Sequence, residues 1–101
     1  MDGNESEHPI EHRLGSVFEA SFPEGRALLE YSSSAGRMVI MHTGVPPALR
    51  GRGLAGQLVR AALEYARAQG LAVEPRCSYA AEWIRRHPGY GDLLVPGSAH
   101  T

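Results

Sequence analysis

Lysine is absent from this chain: all ten basic side chains are arginines, set against eleven Asp and Glu for a formal net charge of -1 over 101 residues. That balance excludes the broad basic surface by which nucleic-acid binders coat phosphates, so any anion site must be local. It also excludes the phosphate-binding P-loop, which needs a Gly-Lys-Ser or Gly-Lys-Thr step. With one cysteine, Cys77, there is no internal disulfide, and Cys and His never cluster in zinc-ligand spacing, so no metal is expected. Long apolar runs are missing too. The longest is residues 38–41, against the roughly 20 residues a membrane-spanning helix requires. The first dozen residues are acidic with no apolar stretch, unlike a signal or transit peptide. The expectation is a cytoplasmic protein, monomer or weak dimer, that meets neither nucleic acid nor membrane.

What is present is enough for one core. Hydrophobic residues make up 43% of the chain, the composition of a single globular domain. Residues 1–12 read as a disordered acidic arm, 13–94 as the domain and 95–101 as a loose tail. Short mixed runs at 16–21 and 27–33, parted by Phe22-Pro23-Glu24-Gly25, predict a hairpin. A turn at Ser34-Ala35-Gly36 leads to a third strand, 37–43, whose unbroken apolar centre suggests cover on both faces. Pro46 and Pro47 must end or splay that strand. From 53 to 69, Gln57, Arg60, Glu64 and Arg67 mark one side of a helix and Leu54, Leu58, Ala62 and Tyr65 another, with Gly70 as the stop. A strand at 71–74 ends before Pro75, and a second helix at 78–87 places Tyr79, Trp83 and Ile84 inward before Pro88. A strand, helix, strand unit of this length implies a right-handed crossover, so strands 37–43 and 71–74 should be parallel neighbours. The fold class is an α/β sandwich with a mixed sheet: antiparallel strands, then the parallel unit, then a C-terminal helix.

The segment with chemical content is Arg50-Gly51-Arg52-Gly53-Leu54-Ala55-Gly56, between a strand and a helix start. Glycines allow backbone N–H groups to converge, and a helix N-terminus adds about half a positive charge, which together favour a phosphate. A tight turn with a closely packed helix start is the bland alternative. Gly51-Arg52-Gly53-Leu54-Ala55-Gly56 also fits the dinucleotide pattern G-x-G-x-x-G, with Glu74 as the ribose acid. Against that stand the two prolines between strand and glycine, the mid-chain position and the small number of strands left.

The string Val45-Pro46-Pro47-Ala48-Leu49-Arg50-Gly51-Arg52-Gly53-Leu54-Ala55 resembles the acyl-coenzyme A loop of GNAT-type N-acetyltransferases, with Arg50, Gly53 and Ala55 at its defining positions. His42-Thr43, Cys77-Ser78-Tyr79 and Trp83-Ile84-Arg85-Arg86-His87-Pro88 resemble the minimal Yjdj-type branch, and the likeness covers residues 17–94. The resemblance implies a GNAT-like fold and acetyl transfer from acetyl-CoA to an amine acceptor. It implies that Val45, Arg50, Gly51, Arg52, Gly53, Leu54, Ala55 and Gly56 hold the coenzyme, and that its pantetheine arm lies where two parallel strands part. Prolines at 46, 47 and 75 near those strand ends agree with such a gap.

By the same resemblance the Val45 amide polarises the thioester carbonyl. The branch carries Glu where this chain has Gly44, so the usual carboxylate base is missing. His42, two residues away, is the substitute base, the alternative being a hydrogen-bonded core histidine. Cys77 precedes a helix whose amides favour a thiolate; its role is acyl transfer by the resemblance, or else that of a small buried hydrophobe. Tyr79 is the acid for the departing sulfur, or an inward aromatic. Arg85 and Arg86 have sufficient reason in the helix dipole. Besides the enzyme, a non-catalytic acyl-CoA-binding module and a nucleotide-phosphate binder stay open.

Overall fold

The structure, a computed structural model, describes residues 10–96. Five strands form one sheet in sequence order: β1 (Glu11–Arg13), β2 (Val17–Phe22), β3 (Gly25–Ser34), β4 (Arg37–Gly44) and β5 (Ala72–Pro75). The first four are antiparallel, and β5 joins β4 in parallel across the helix α1 (Leu54–Gln69), with α2 (Ser78–Arg86) following. The mixed sheet and right order of elements match the expected α/β architecture.

Alternation along the strands decides which side chains enter the core. Phe18, Ala27, Leu29, Tyr31, Met38 and Ile40 point to the face covered by α1 and are buried against Leu54, Leu58, Val59, Ala62 and Leu63. Burying an aliphatic side chain of that size contributes about 1.5–3 kcal/mol, and this seam, spread over three strands, holds the two layers together. Gly70, at φ +70°, closes α1 by donating to the carbonyls of Ala66 and Arg67.

Four features depart from the sequence-based expectations. Glu11 and His12, assigned to the arm, belong to β1: His12 stacks on Phe18 with ring centroids 3.9 Å apart, and its Nε2 lies 2.6 Å from the Tyr31 hydroxyl. Residues 1–9 of that arm, and 97–101 of the expected tail, lie outside the described residues. At the tail's start the Val95 amide donates to the Val73 carbonyl at 2.8 Å, beside the bridge from Val73 to Leu94. Pro75 is inside β5, not beyond it, opposite Ile40. As the last residue of a strand it withholds an N–H where the ladder is ending anyway.

The fourth feature is a β-bulge in β4. Glu30 pairs with His42 and Tyr31 with Ile40, which leaves Met41 as the extra residue. Ile40 therefore faces the core, yet His42 shares the open face with Glu30, a reversal of the normal two-residue alternation.

Candidate active site

The end of β4 builds the site. Pairing with β5 stops at Ile40, whose carbonyl accepts from the amides of both Arg76 (2.9 Å) and Cys77 (3.1 Å), while β4 runs on to Gly44. The two parallel strands part there, as the prolines suggested. Pro46 and Pro47 then turn the chain into a single 3-10 turn, Pro47–Leu49, anchored by the buried Leu49.

From Leu49 the loop climbs to α1. Gly51 and Gly53 both have left-handed backbone, at φ +84° and +74°, the alternation that makes a concave nest of amides. Gly53 is the N-cap of α1 and offers no side chain to the helix's first N–H groups; no acidic residue stands in that turn. Capping donors are thus left to a ligand or solvent. A cavity of about 220 Å³ opens over them, lined by Val45, Leu49, Arg50, Gly51, Gly53, Leu54, Ala55 and Tyr79. Arg50 also ties the loop to itself, its Nε donating to the Val45 carbonyl at 3.4 Å.

Two of the expected coenzyme residues lie elsewhere. Arg52 turns away toward the β2–β3 turn, 3.4 Å from Glu24 and with its guanidinium over the Phe22 ring. Gly56 is a point of close helix approach: a Cβ there would lie 3.0 Å from Nε1 of Trp83 and 3.5 Å from the Tyr79 hydroxyl. Its contribution is to let α2 settle on α1, which brings Tyr79 to the loop.

Tyr79 is not inward. It is 42% exposed and lines the cavity, while Trp83 and Ile84, four and five residues further along the helix, take the core. Cys77 is half-buried at the N-cap of α2, its Sγ 3.5 Å from Oγ1 of Thr43. Burial alone pushes the thiol's pKa up. The Thr43 hydroxyl and the backbone of Ala80, Tyr79 and Thr43 outweigh that and hold it below the ordinary thiol value. His42 is exposed, not a core histidine, and makes no hydrogen bond among the described residues. Its ring lies over Gly44, where a Cβ would meet Nε2 at 3.0 Å.

The arrangement brings Tyr79 and Val45 to one cavity and Cys77 to Thr43. It sets His42 on the other side of β4, because Thr43 pairs with core-facing Leu29 and His42 with Glu30. Sequence reasoning assigned no role to Thr43, Glu24 or Glu30. Thr43 was visible in the His42-Thr43 string; the other two follow only from strand register. Among the described residues no group of three or more His, Cys, Asp or Glu is placed to hold a metal, and no helix is long and apolar enough to cross a membrane.

Comparison with known proteins bears on this geometry. The family described as GCN5-related N-acetyl-transferase matches residues 17–93. Protein NATD1 of Mus musculus is 38% identical over 83 residues, 81% of this chain and 74% of that protein. Protein NATD1 of Homo sapiens is 38% identical over 64 residues, 62% of this chain and 57% of that protein. The solution structure of a GCN5-like protein from Staphylococcus aureus superposes with a TM-score of 0.70 at 26% identity, covering 86% of this chain and 87% of that one. With its splayed strand pair and its glycine loop at a helix start, this chain belongs to the GCN5-related N-acetyltransferase family.

Proposed function

We propose that the protein transfers acetyl from acetyl-CoA to an amine, with the coenzyme's pyrophosphate held by the loop of residues 50–55. The observation that carries this reading is the uncapped start of α1, whose free N–H groups open into a cavity shared with Val45 and Tyr79. Those donors suit a pyrophosphate.

Acetyl transfer needs a neutral nucleophile, donors for the oxyanion and a proton for the leaving thiolate. The Val45 N–H supplies the donor, at the point where β4 has left its neighbour. His42 takes the proton from the amine nitrogen as the new C–N bond forms. When the C–S bond breaks, Tyr79 gives its hydroxyl proton to the sulfur. The resemblance implies a carboxylate at position 44; here the imidazole occupies the space such a side chain would fill.

A second route, through acetyl-Cys77, is favoured by the lowered thiol pKa beside Thr43. In it the thiolate takes the acetyl group first and the amine removes it.

Isothermal titration with acetyl-CoA, NAD serving as the control ligand, tests the loop. Selective binding of acetyl-CoA supports the assignment; equal binding of NAD, or none of either, ends it. Thiol release on adding amines then separates an enzyme from a binding module that holds the coenzyme without turnover. Intact mass after mixing with acetyl-CoA decides between routes: full rate in Cys77→Ala sinks the acetyl-cysteine.

A further inference from the structure

The sheet face away from α1 carries a groove that the chemistry above leaves unused. Its volume is about 430 Å³, and it crosses β2, β3 and β4 over Val17, Leu28 and Met41. Val17 and Leu28 are half-buried and Met41 is 49% exposed, so the floor is an apolar strip. One end of the groove is Met41, the bulged residue immediately after Ile40, and Ile40 is where β4 and β5 part.

Charge along the groove is uneven. At the far end Glu19 is buried between Arg13 (2.8 Å) and Arg26 (3.4 Å), so these three satisfy one another. Tyr31 turns its ring to the α1 face, where its hydroxyl meets His12 and the Gly15 amide. At the Met41 end stands Glu30, exposed and with no ion pair or hydrogen bond among the described residues. Directly opposite it on β4 is His42, and side chains so paired have Cβ atoms about 4.5–5.5 Å apart. A carboxylate, a basic imidazole and an apolar strip thus meet beside the cleft.

We infer that this groove receives the acceptor, a primary alkylamine with a linear apolar stem, and that Glu30 selects it as the ammonium ion. This rests on the acetyltransferase reading for its purpose but not for its test. The stem lies on Leu28, Val17 and Met41. The ammonium meets Glu30, whose carboxylate replaces part of the hydration that an alkylammonium loses on leaving water. The same nitrogen then gives up one proton to solvent, the lone pair so freed attacks the acetyl carbonyl, and His42 takes the second N–H proton as the C–N bond forms, becoming imidazolium while the sulfur leaves. Glu30 is a specificity residue: it binds the protonated amine and takes no proton itself.

The test uses the three methionines. With methyl-labelled methionine, hexylammonium is titrated into the free protein and the Met41 signal is followed by NMR, with the fully buried Met38 as internal control. The expected result is a saturable shift of Met41 alone, weakened about two- to fivefold in Glu30→Gln, the size of an exposed charge pair. Binding of 1-hexanol should be indifferent to that substitution. Glu30 is exposed and Gln is isosteric, so the variant keeps the fold; Glu30→Asp, retaining charge, should bind nearly as the parent does. No Met41 shift, or equal hexylammonium affinity in Glu30→Gln, overturns the proposal. In turnover, Glu30→Gln should raise KM for hexylamine with little change in kcat, and leave KM for a neutral arylamine unchanged; a fall in kcat with KM constant also overturns it. Failure to bind acetyl-CoA alongside an intact Met41 response would count against the acetyltransferase reading and leave the groove's amine specificity standing.

Discussion

Replacing Gly44 by alanine places a methyl group 3.0 Å from Nε2 of His42, closer than a carbon and a ring nitrogen pack at rest. The backbone there is not left-handed, so alanine itself fits the strand. Two small terms then oppose each other. Removing a glycine from a strand recovers about 0.5–1 kcal/mol of backbone entropy. Displacing the imidazole costs about 0.5–1.5 kcal/mol if it is forced off its rotamer. The ring is exposed and unbonded, so it swings rather than strains, and the net change stays within about 1 kcal/mol, a shift in Tm of at most about 4–8 °C. Catalysis does not share that tolerance. A base moved by about 1 Å loses about 10²-fold, within the 10²–10⁴-fold that a positioned base supplies. Gly44→Ala should therefore fold and bind acetyl-CoA as the parent does while kcat/KM falls by about two orders of magnitude. Gly44→Glu, which brings its own carboxylate to the same place, should lose far less, and should rescue His42→Ala. Circular dichroism on heating, titration with acetyl-CoA and thiol release with an alkylamine read the three quantities. Parental kcat/KM in Gly44→Ala would refute the assignment of His42 as the base.

Three further outcomes follow from contacts at the periphery. Glu24 competes for Arg52, so Glu24→Gln should tighten acetyl-CoA about two- to fivefold and Arg52→Gln should weaken it; an unchanged Kd in Glu24→Gln by titration would mean Arg52 never reaches the coenzyme. Burial lowers the pKa of His12 from 6.5, so its stabilising effect is complete above that value and is lost as pH falls below it. Urea midpoints should thus drop between about pH 7.5 and about pH 5.5 more steeply for the parent than for His12→Phe, and equal slopes would count against it. The alkylation rate of Cys77 by iodoacetamide should show a midpoint below that of free cysteine, moving upward in Thr43→Val; no movement would remove Thr43 from the account.

Much of this architecture is legible in the sequence because its period is strong. The 3.6-residue pattern of α1, the glycines at 51, 53 and 70 and the paired prolines mark the loop, the helix and the parting strands within a residue or two. What escaped detection has short range or depends on register. A three-residue strand such as β1 has no period to read, and His12 joins it through rings that come from β2, β3 and α1. The bulge at Met41 is hidden inside an unbroken apolar run, yet it decides that His42 faces Glu30 and not the core. Tyr79 sits among apolar residues of α2 and looks inward until the packing of Gly56 on Trp83 shows which arc of that helix is covered. Arg52 has the right chemistry and the wrong neighbour.

Strand order equal to sequence order carries a consequence for cooperativity. The strands β1 to β4 form a meander joined by tight turns, whose closure is entropically cheap, and only β4 and β5 must find each other across α1. That pairing spans Arg37 to Ile40 on one side and Ala72 to Pro75 on the other. Separating it leaves the meander whole, so β5 with α2 forms a unit able to open below the free energy of global unfolding. Amide hydrogens of Arg76 and Cys77, both bound to the Ile40 carbonyl at the apex, should exchange through that opening well before those of β2 and β3. The cleft assigned to the coenzyme is thus also the seam along which the molecule is easiest to part.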